Sequence, residues 1–258
     1  MTGTSGTVYL VGAGPGAADL LTLRAARLLG MADIVFHDAL VHPETLVLAA
    51  RAEKIAVGKR CGRQSTAQRF INKRLVDAAC RCAIVVRLKG GDPMLFGRAQ
   101  EEISALEEAG VAYEVVPGVT AALAAAVQIG TSLTQRGTVR TFALATPRVG
   151  AGEQPSDWAR SLAHADAGAI YMGAGEAAAI AAELIAAGKS PALPVAVIEN
   201  ASLPEVRTLR TTLRALPELD RIGFEGPVLL LLGPQFRLRN AACNATHGSG
   251  DERARKAS

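Results

Sequence analysis

From Thr7 onward, short runs rich in β-branched residues alternate with stretches of helical period, and that alternation confines the chain to α/β folds. Residues 7–12, 34–37, 54–57, 83–88 and 113–116 read as strands. Helices fit residues 19–29, a segment after Gln64, and residues 98–109 and 120–127. In the segment after Gln64, Ala67, Ile71, Leu75 and Ala79 recur at i, i+4 spacing behind a capping box, Ser65-Thr66-Ala67-Gln68.

The pattern restarts around residues 130–137. A strand at 139–146 precedes an exposed Pro/Gly-containing loop at 147–155, then come a helix at 156–163, a strand at 169–172 and an Ala-rich helix at 175–187. Strands at 195–199, 205–211 and 228–232 follow one another without helical pattern between them, which predicts antiparallel pairing. The expected organisation is an N-terminal α/β domain over 7–130, a C-terminal α/β domain over 131–236, and a disordered basic tail over 237–258.

With 258 residues and 49% hydrophobic content, the chain can bury a substantial core. Aromatic residues make up 4%, too few for the stacking platforms of single-stranded nucleic-acid binders. Of the net charge of +4, the segment from Gln235 to the end supplies +3, through Arg237, Arg239, Arg253, Arg255 and Lys256 against Asp251 and Glu252. The body is therefore nearly neutral, which argues against nucleic acid as a partner and leaves room for a local basic pocket. Cys61, Cys80, Cys82 and Cys243 lack metal-ligand spacing, so no metal site is expected, and a reduced, cytoplasmic protein is. Neither a signal peptide nor an apolar run of membrane-spanning length is present, so no membrane partner is expected.

Several turns at strand ends have the composition of ligand-binding turns. In Gly90-Gly91-Asp92-Pro93, the glycines permit close backbone approach and Asp92 supplies a carboxylate. A tight βα turn would use the same glycines. Gly12-Ala13-Gly14-Pro15-Gly16 matches the start of a dinucleotide fingerprint only in part, because Pro15 lacks an N–H where a phosphate cradle would use one. Asp38 stands at a strand's carboxyl end, where α/β sheets place ligands, although position alone favours a loop or N-cap carboxylate. Lys59, Arg60 and Arg63 form a basic turn suited to carboxylates of a polyanion, or to solvent. Arg98 precedes Glu101 and Glu102, an arrangement equally compatible with a helix-surface ion pair and with a site role.

Taken in order, Val8-Tyr9-Leu10-Val11-Gly12-Ala13-Gly14-Pro15-Gly16, Val57-Gly58-Lys59-Arg60, Val86-Arg87-Leu88-Lys89-Gly90-Gly91-Asp92-Pro93, Phe96-Gly97-Arg98 and Val116-Pro117-Gly118-Val119-Thr120 resemble the tetrapyrrole methylase family, specifically its uroporphyrinogen-III C-methyltransferases. The resemblance implies a two-domain α/β fold with a mainly parallel N-terminal sheet and a mixed C-terminal sheet. It implies S-adenosylmethionine as methyl donor, S-adenosylhomocysteine as product, no metal, uroporphyrinogen III as substrate, and a homodimer. Carried over by motif, the cofactor contacts are Pro15, Gly90, Gly91, Asp92, Leu95, Thr120, Ala121, Met172 and Ala201. Asp38 aligns with a proton acceptor and Lys59 with a proton donor. Arg98 aligns with a substrate-binding or proton-handling arginine, and Arg60 and Arg63 are expected to meet substrate carboxylates.

The chain departs from the family pattern at Ala39, Gln135 and Pro147-Arg148, where the family usually has arginine, histidine and Gly-His. These changes bear on how the substrate is gripped. A methylase of a later corrin precursor and a noncatalytic binding paralogue are the alternatives. With no dehydrogenase or ferrochelatase module before Val8, a stand-alone methylase is expected.

Overall fold

The structure is a computed structural model that describes residues 6–58, 68–150, 154, 156–173 and 175–237. The first part of the chain runs β1 (Thr7–Gly12), α1 (Leu23–Met31), β2 (Ile34–His37), α2 (Pro43–Val47), β3 (Glu53–Ala56), α3 (Gln68–Ala79), β4 (Ile84–Lys89), α4 (Ala99–Glu108) and β5 (Tyr113–Val116). The second runs α5 (Ala121–Gln128), β6 (Phe142–Ala145), α6 (Trp158–His164), β7 (Ala167–Ile170), α7 (Ala177–Ala186), β8 (Pro194–Glu199), β9 (Arg207–Thr212) and β10 (Val228–Leu232).

The first five strands form a wholly parallel sheet in the order β3-β2-β4-β1-β5. The connections that step one way across it carry α1 and α2; those that step back carry α3 and α4. Right-handed crossovers then require the two pairs of helices to lie on opposite faces. The cores agree: Val8, Leu10, Ile34, Phe36 and Val85 pack with α3 and α4, whereas Val11, Val35, Val86 and Leu88 pack with α1. Neighbouring β1 and β4 therefore lead to helices on opposite faces, which makes their carboxyl ends the topological switch point where open α/β sheets usually bind ligands.

The second sheet has the order β6-β7-β10-β8-β9 and is mixed. β6 and β7 are parallel, while β10 runs antiparallel to both β7 and β8, and β9 antiparallel to β8. The antiparallel pairing expected from consecutive strands is present. One face is covered by α6, α7 and a 3-10 helix at Leu213–Arg221. The other receives α5, whose Ala122, Ala124 and Ala125 pack on Ala169, Ala196, Ile198, Leu229 and Leu231. Alanine serves here because a small side chain brings the helix backbone close to the sheet.

Several boundaries differ from expectation. The helix expected over 19–29 is a 3-10 turn at Ala18–Leu20 followed by α1, because Thr22 caps the helix by accepting from Ala25 N at 3.1 Å. The strand expected at 169–172 is β7, two residues earlier; Met172, at φ 57°, leaves extended backbone. β6 is shorter than the expected 139–146, because Val139 bonds back to Gln135 in a tight turn. Three elements were unforeseen: α2, with Pro43 at its first position and His42 capping, the 3-10 helix holding Pro217, and a 3-10 turn at Pro234–Phe236. The capping box at Ser65 and the basic tail lie outside the described residues, apart from Arg237 at the tail's start.

Candidate functional site

At the carboxyl edge of the first sheet, the loops after β1, β4 and β5 converge at one point. Gly14 and Gly91 exchange both backbone hydrogen bonds, at 3.2 and 2.7 Å, and Ala13 N donates to Lys89 O at 2.7 Å. A Cβ on Gly118 would lie 2.3 Å from Gly91 O, and one on Gly12 would lie 2.6 Å from Gly118 Cα. Only glycine allows these three backbones to meet. Asp92 secures the junction: Oδ2 accepts from Gly118 N at 2.9 Å and Oδ1 from Met94 N at 2.8 Å. Each oxygen keeps one further acceptor position, suited to a ribose hydroxyl or an ammonium group.

The second sheet contributes the loops after β7 and β8, which reach the same junction. Ala17 N donates to Ser202 Oγ at 3.1 Å, joining the loop after β1 to the loop after β8. Tyr171, following β7, accepts from Ala122 N at 3.2 Å and shares a 2.7 Å hydrogen bond with Thr120. Its ring packs on Phe96 with centroids 5.1 Å apart, so the loop after β4 also touches the second sheet. Burial raises the Tyr171 pKa, with the bonds from Thr120 and Ala122 opposing that shift.

Backbone strain marks the same place. Among the described residues, the non-glycine positions at positive φ are Phe96, Arg98, Met172, Asn200 and Ser202. All belong to the loops after β4, β7 and β8. Left-handed backbone at such residues costs on the order of 1–3 kcal/mol each and persists where surroundings enforce it, typically at ligand sites.

A charged cluster lies behind the edge of the first sheet. The alternation that buries Val85 on the α3 and α4 side also directs Arg87 and Lys89 there, and α4 meets them with Glu102. Lys89 Nζ bonds both Glu102 oxygens at 2.9 Å, and Arg87 Nε bonds Oε1 at 3.0 Å. Gln68 Nε2, from α3, donates to the same Oε1 at 3.1 Å. Arg87 Nη2 reaches Asp38 Oδ1 at 2.5 Å. The side chains of Arg87, Lys89 and Glu102 are at most 3% exposed, against 26% for Asp38. Burial acts to lower the Arg87 pKa, yet Asp38 and Glu102 outweigh it and the net shift is upward. For Lys89, burial and then the charge of Arg87 prevail over Glu102 and Asp38, and its pKa is lowered.

Of the residues expected from sequence, Pro15 follows β1; Asp38 follows β2; Gly90, Gly91, Asp92 and Leu95 follow β4; Thr120 and Ala121 open α5; and Met172 and Ala201 follow β7 and β8. Arg98 ends the same loop as Leu95, two residues beyond Phe96, and makes a bidentate pair with Glu101 at 2.7 and 2.8 Å. That bond lowers the Glu101 pKa. Lys59, Arg60 and Arg63 lie outside the described residues. Sequence reasoning did not single out Tyr171, nor Arg87, Lys89 and Glu102 as a cluster. The signal for the latter was two cations at alternate positions of an apolar strand, since buried charges need partners.

Tyr171→Phe removes the hydroxyl that receives the second N–H of α5 and bonds Thr120, while keeping the ring on Phe96. The expected loss is about 1 kcal/mol of stability, read as a fall of a few degrees in Tm. An unchanged Tm would show that water replaces the hydroxyl without cost.

A family model described as tetrapyrrole (corrin/porphyrin) methylases matches residues 7–217. Siroheme synthase 1 of Klebsiella pneumoniae is 43% identical over 249 residues, which cover 96% of this chain and 53% of that protein. The chain thus spans about half the length of the curated relatives it matches. Among solved structures, uroporphyrin III C-methyl transferase from Thermus thermophilus in its native form superposes with a TM-score of 0.79 at 41% identity, covering 89% of this chain and 98% of that one. The same enzyme complexed with S-adenosylhomocysteine gives a TM-score of 0.78 at 41% identity, with the same coverage.

Proposed function

Because the chain belongs to the tetrapyrrole methylase family, we propose that it transfers methyl groups from S-adenosylmethionine to two pyrrole carbons of uroporphyrinogen III, C2 and C7, giving precorrin-2 and two S-adenosylhomocysteine. The observation that carries this reading is the 41% identity over 98% of the Thermus thermophilus enzyme. The local geometry supports it: the loops carrying the family's cofactor motifs meet at the Gly12, Gly91 and Gly118 junction.

The residues at that junction suit the methyl donor. Gly90, Gly91, Ala121 and Ala201 provide small surfaces on both sheets, Leu95 and Met172 apolar ones, and Asp92 retains acceptor capacity. When bound, the donor supplies a methyl group made electrophilic by its sulfonium. The protein's tasks are to align an electron-rich carbon behind that methyl, exclude water, and accept the proton lost after alkylation. Asp38, half-buried at the edge beside this junction, takes the role of proton acceptor. Arg98, on the outer end of the loop after β4, holds a substrate carboxylate. Lys59, Arg60 and Arg63 retain the donor and carboxylate-binding roles that the resemblance implies.

A homodimer and a cytoplasmic location belong to the same reading, which takes the tetrapyrrole as partner. Among the described residues no helix is long and apolar enough to cross a membrane, and no cluster of His, Cys, Asp and Glu could hold a metal.

The test is anaerobic incubation with uroporphyrinogen III and methyl-labelled S-adenosylmethionine, followed by mass analysis of the tetrapyrrole. Two labelled methyl groups per macrocycle are expected. Bound S-adenosylhomocysteine without methylated product would indicate a binding paralogue. Methylation confined to an already methylated corrin precursor would move the substrate later in the sequence.

A further inference from the structure

We propose that Arg87 is a positioning residue that clamps Asp38 at the cleft edge, with Glu102 and Lys89 holding the clamp from behind. The inference rests on the reading of Asp38 as proton acceptor. Its basis is the use of every guanidinium nitrogen. Nε is held by Glu102 at 3.0 Å, and Nη1 donates to Leu88 O at 3.2 Å and Phe36 O at 3.5 Å. Nη2 alone points outward, to Asp38. The planar fork therefore has one orientation, fixed by strand backbone on one side and helix α4 on the other.

Charge gives the arrangement a direction. The three buried groups, Arg87, Lys89 and Glu102, sum to one positive charge, and Asp38 is the carboxylate that completes neutrality. Of the four, Asp38 alone has substantial exposure. A staple serving only to join β4 to α4 would close on Lys89 and Glu102, which already satisfy one another. Adding Arg87 leaves a buried cation that needs a second carboxylate. The sequence places that carboxylate at the end of β2, immediately beyond His37.

The test is a double-mutant cycle between Arg87→Lys and Asp38→Asn, with kcat and KM for the tetrapyrrole measured per S-adenosylhomocysteine-binding site, so that unfolded protein does not count. Lysine keeps the charge and loses the fork. Arg87→Lys alone is expected to lower kcat on the order of tenfold or more through misplacement of Asp38, with S-adenosylhomocysteine affinity within about twofold of wild type. In the Asp38→Asn background the same substitution is expected to cost less than about twofold in kcat, because the two residues act as one unit. An equal loss in both backgrounds, or wild-type kcat in Arg87→Lys, would overturn the proposal. Should Arg87→Lys not fold, Glu102→Gln replaces it, with the same background dependence expected and a background-independent loss as the contrary result. A wild type that methylates no tetrapyrrole fails before any variant is compared, and removes the functional reading and this inference together.

Discussion

Gly118→Ala is expected to lower S-adenosylhomocysteine affinity on the order of a hundredfold, measured by titration calorimetry, and to lower Tm. The added Cβ would stand 2.3 Å from Gly91 O and 2.9 Å from Gly12 Cα. Both neighbours are backbone, so relief requires a loop to move. The loops are not free to do so: Gly91 is bonded to Gly14 in both directions, and Gly118 N is held by Asp92. Overpacking of this kind costs about 1–3 kcal/mol. A hundredfold loss of affinity corresponds to about 2.7 kcal/mol, within that range. Gly30→Ala, within α1, is the control. Its Cβ meets nothing within 4 Å, and alanine favours helix, so affinity should not change and Tm should hold or rise. Normal binding by Gly118→Ala would mean that the glycine junction does not shape the cofactor site.

Asp38→Ala is expected to reduce turnover by about 10²–10⁴-fold, the range for removal of a general base, while S-adenosylhomocysteine affinity stays within about twofold. The separation follows from position. Asp38 follows β2, whereas the cradle is formed by the loops after β1, β4 and β5. The substitution also leaves the buried Arg87 guanidinium short of a carboxylate, so a lower Tm should accompany the lost activity. Asp38→Asn separates the two effects, because its side-chain oxygen still accepts from Arg87 while the ionised carboxylate is gone. It should show the same loss of turnover with a smaller change in Tm. Wild-type turnover in both variants would remove Asp38 from the chemistry.

Much of this architecture was legible from residue pattern. Runs rich in Val, Ile and other β-branched residues located the strands of the first sheet, and the glycine turns at their ends pointed to the carboxyl edge. The second sheet was read less accurately for physical reasons. The apolar run continues past Ile170 through Tyr171 to Met172, where the backbone turns left-handed, so composition alone extended the strand. Between β9 and β10, buried Leu213, Leu216 and Leu219 recur at three-residue spacing around Pro217, the period of a 3-10 helix and not of an α-helix. Asp92 looked like a ligand carboxylate; the structure adds that it ties two loops together, a role that depends on a residue 26 positions away. The Arg87 cluster requires three elements, β2, β4 and α4, to come together. A single strand shows only that two cations need partners, and not which carboxylates provide them.

The division of the chain bears on the same point. α5, whose residues fall within the stretch 7–130, packs its alanines on the second sheet. The link from Val116 to Ala121 therefore passes between the two sheets at the junction itself. Asp92 holds Gly118 on the side of the first sheet, and Tyr171 holds Thr120 and Ala122 on the side of the second.

The central claim is that methyl donor binding takes place where the loops after β1, β4 and β5 face those after β7 and β8. A crystal structure of the chain with S-adenosylhomocysteine tests it most directly. Ligand density is expected in contact with Gly91, Asp92, Ala121, Met172 and Ala201. Density instead in the depression of about 330 Å³ lined by Ala177, Leu219, Phe224 and Leu230, on the face covered by α7, would contradict it.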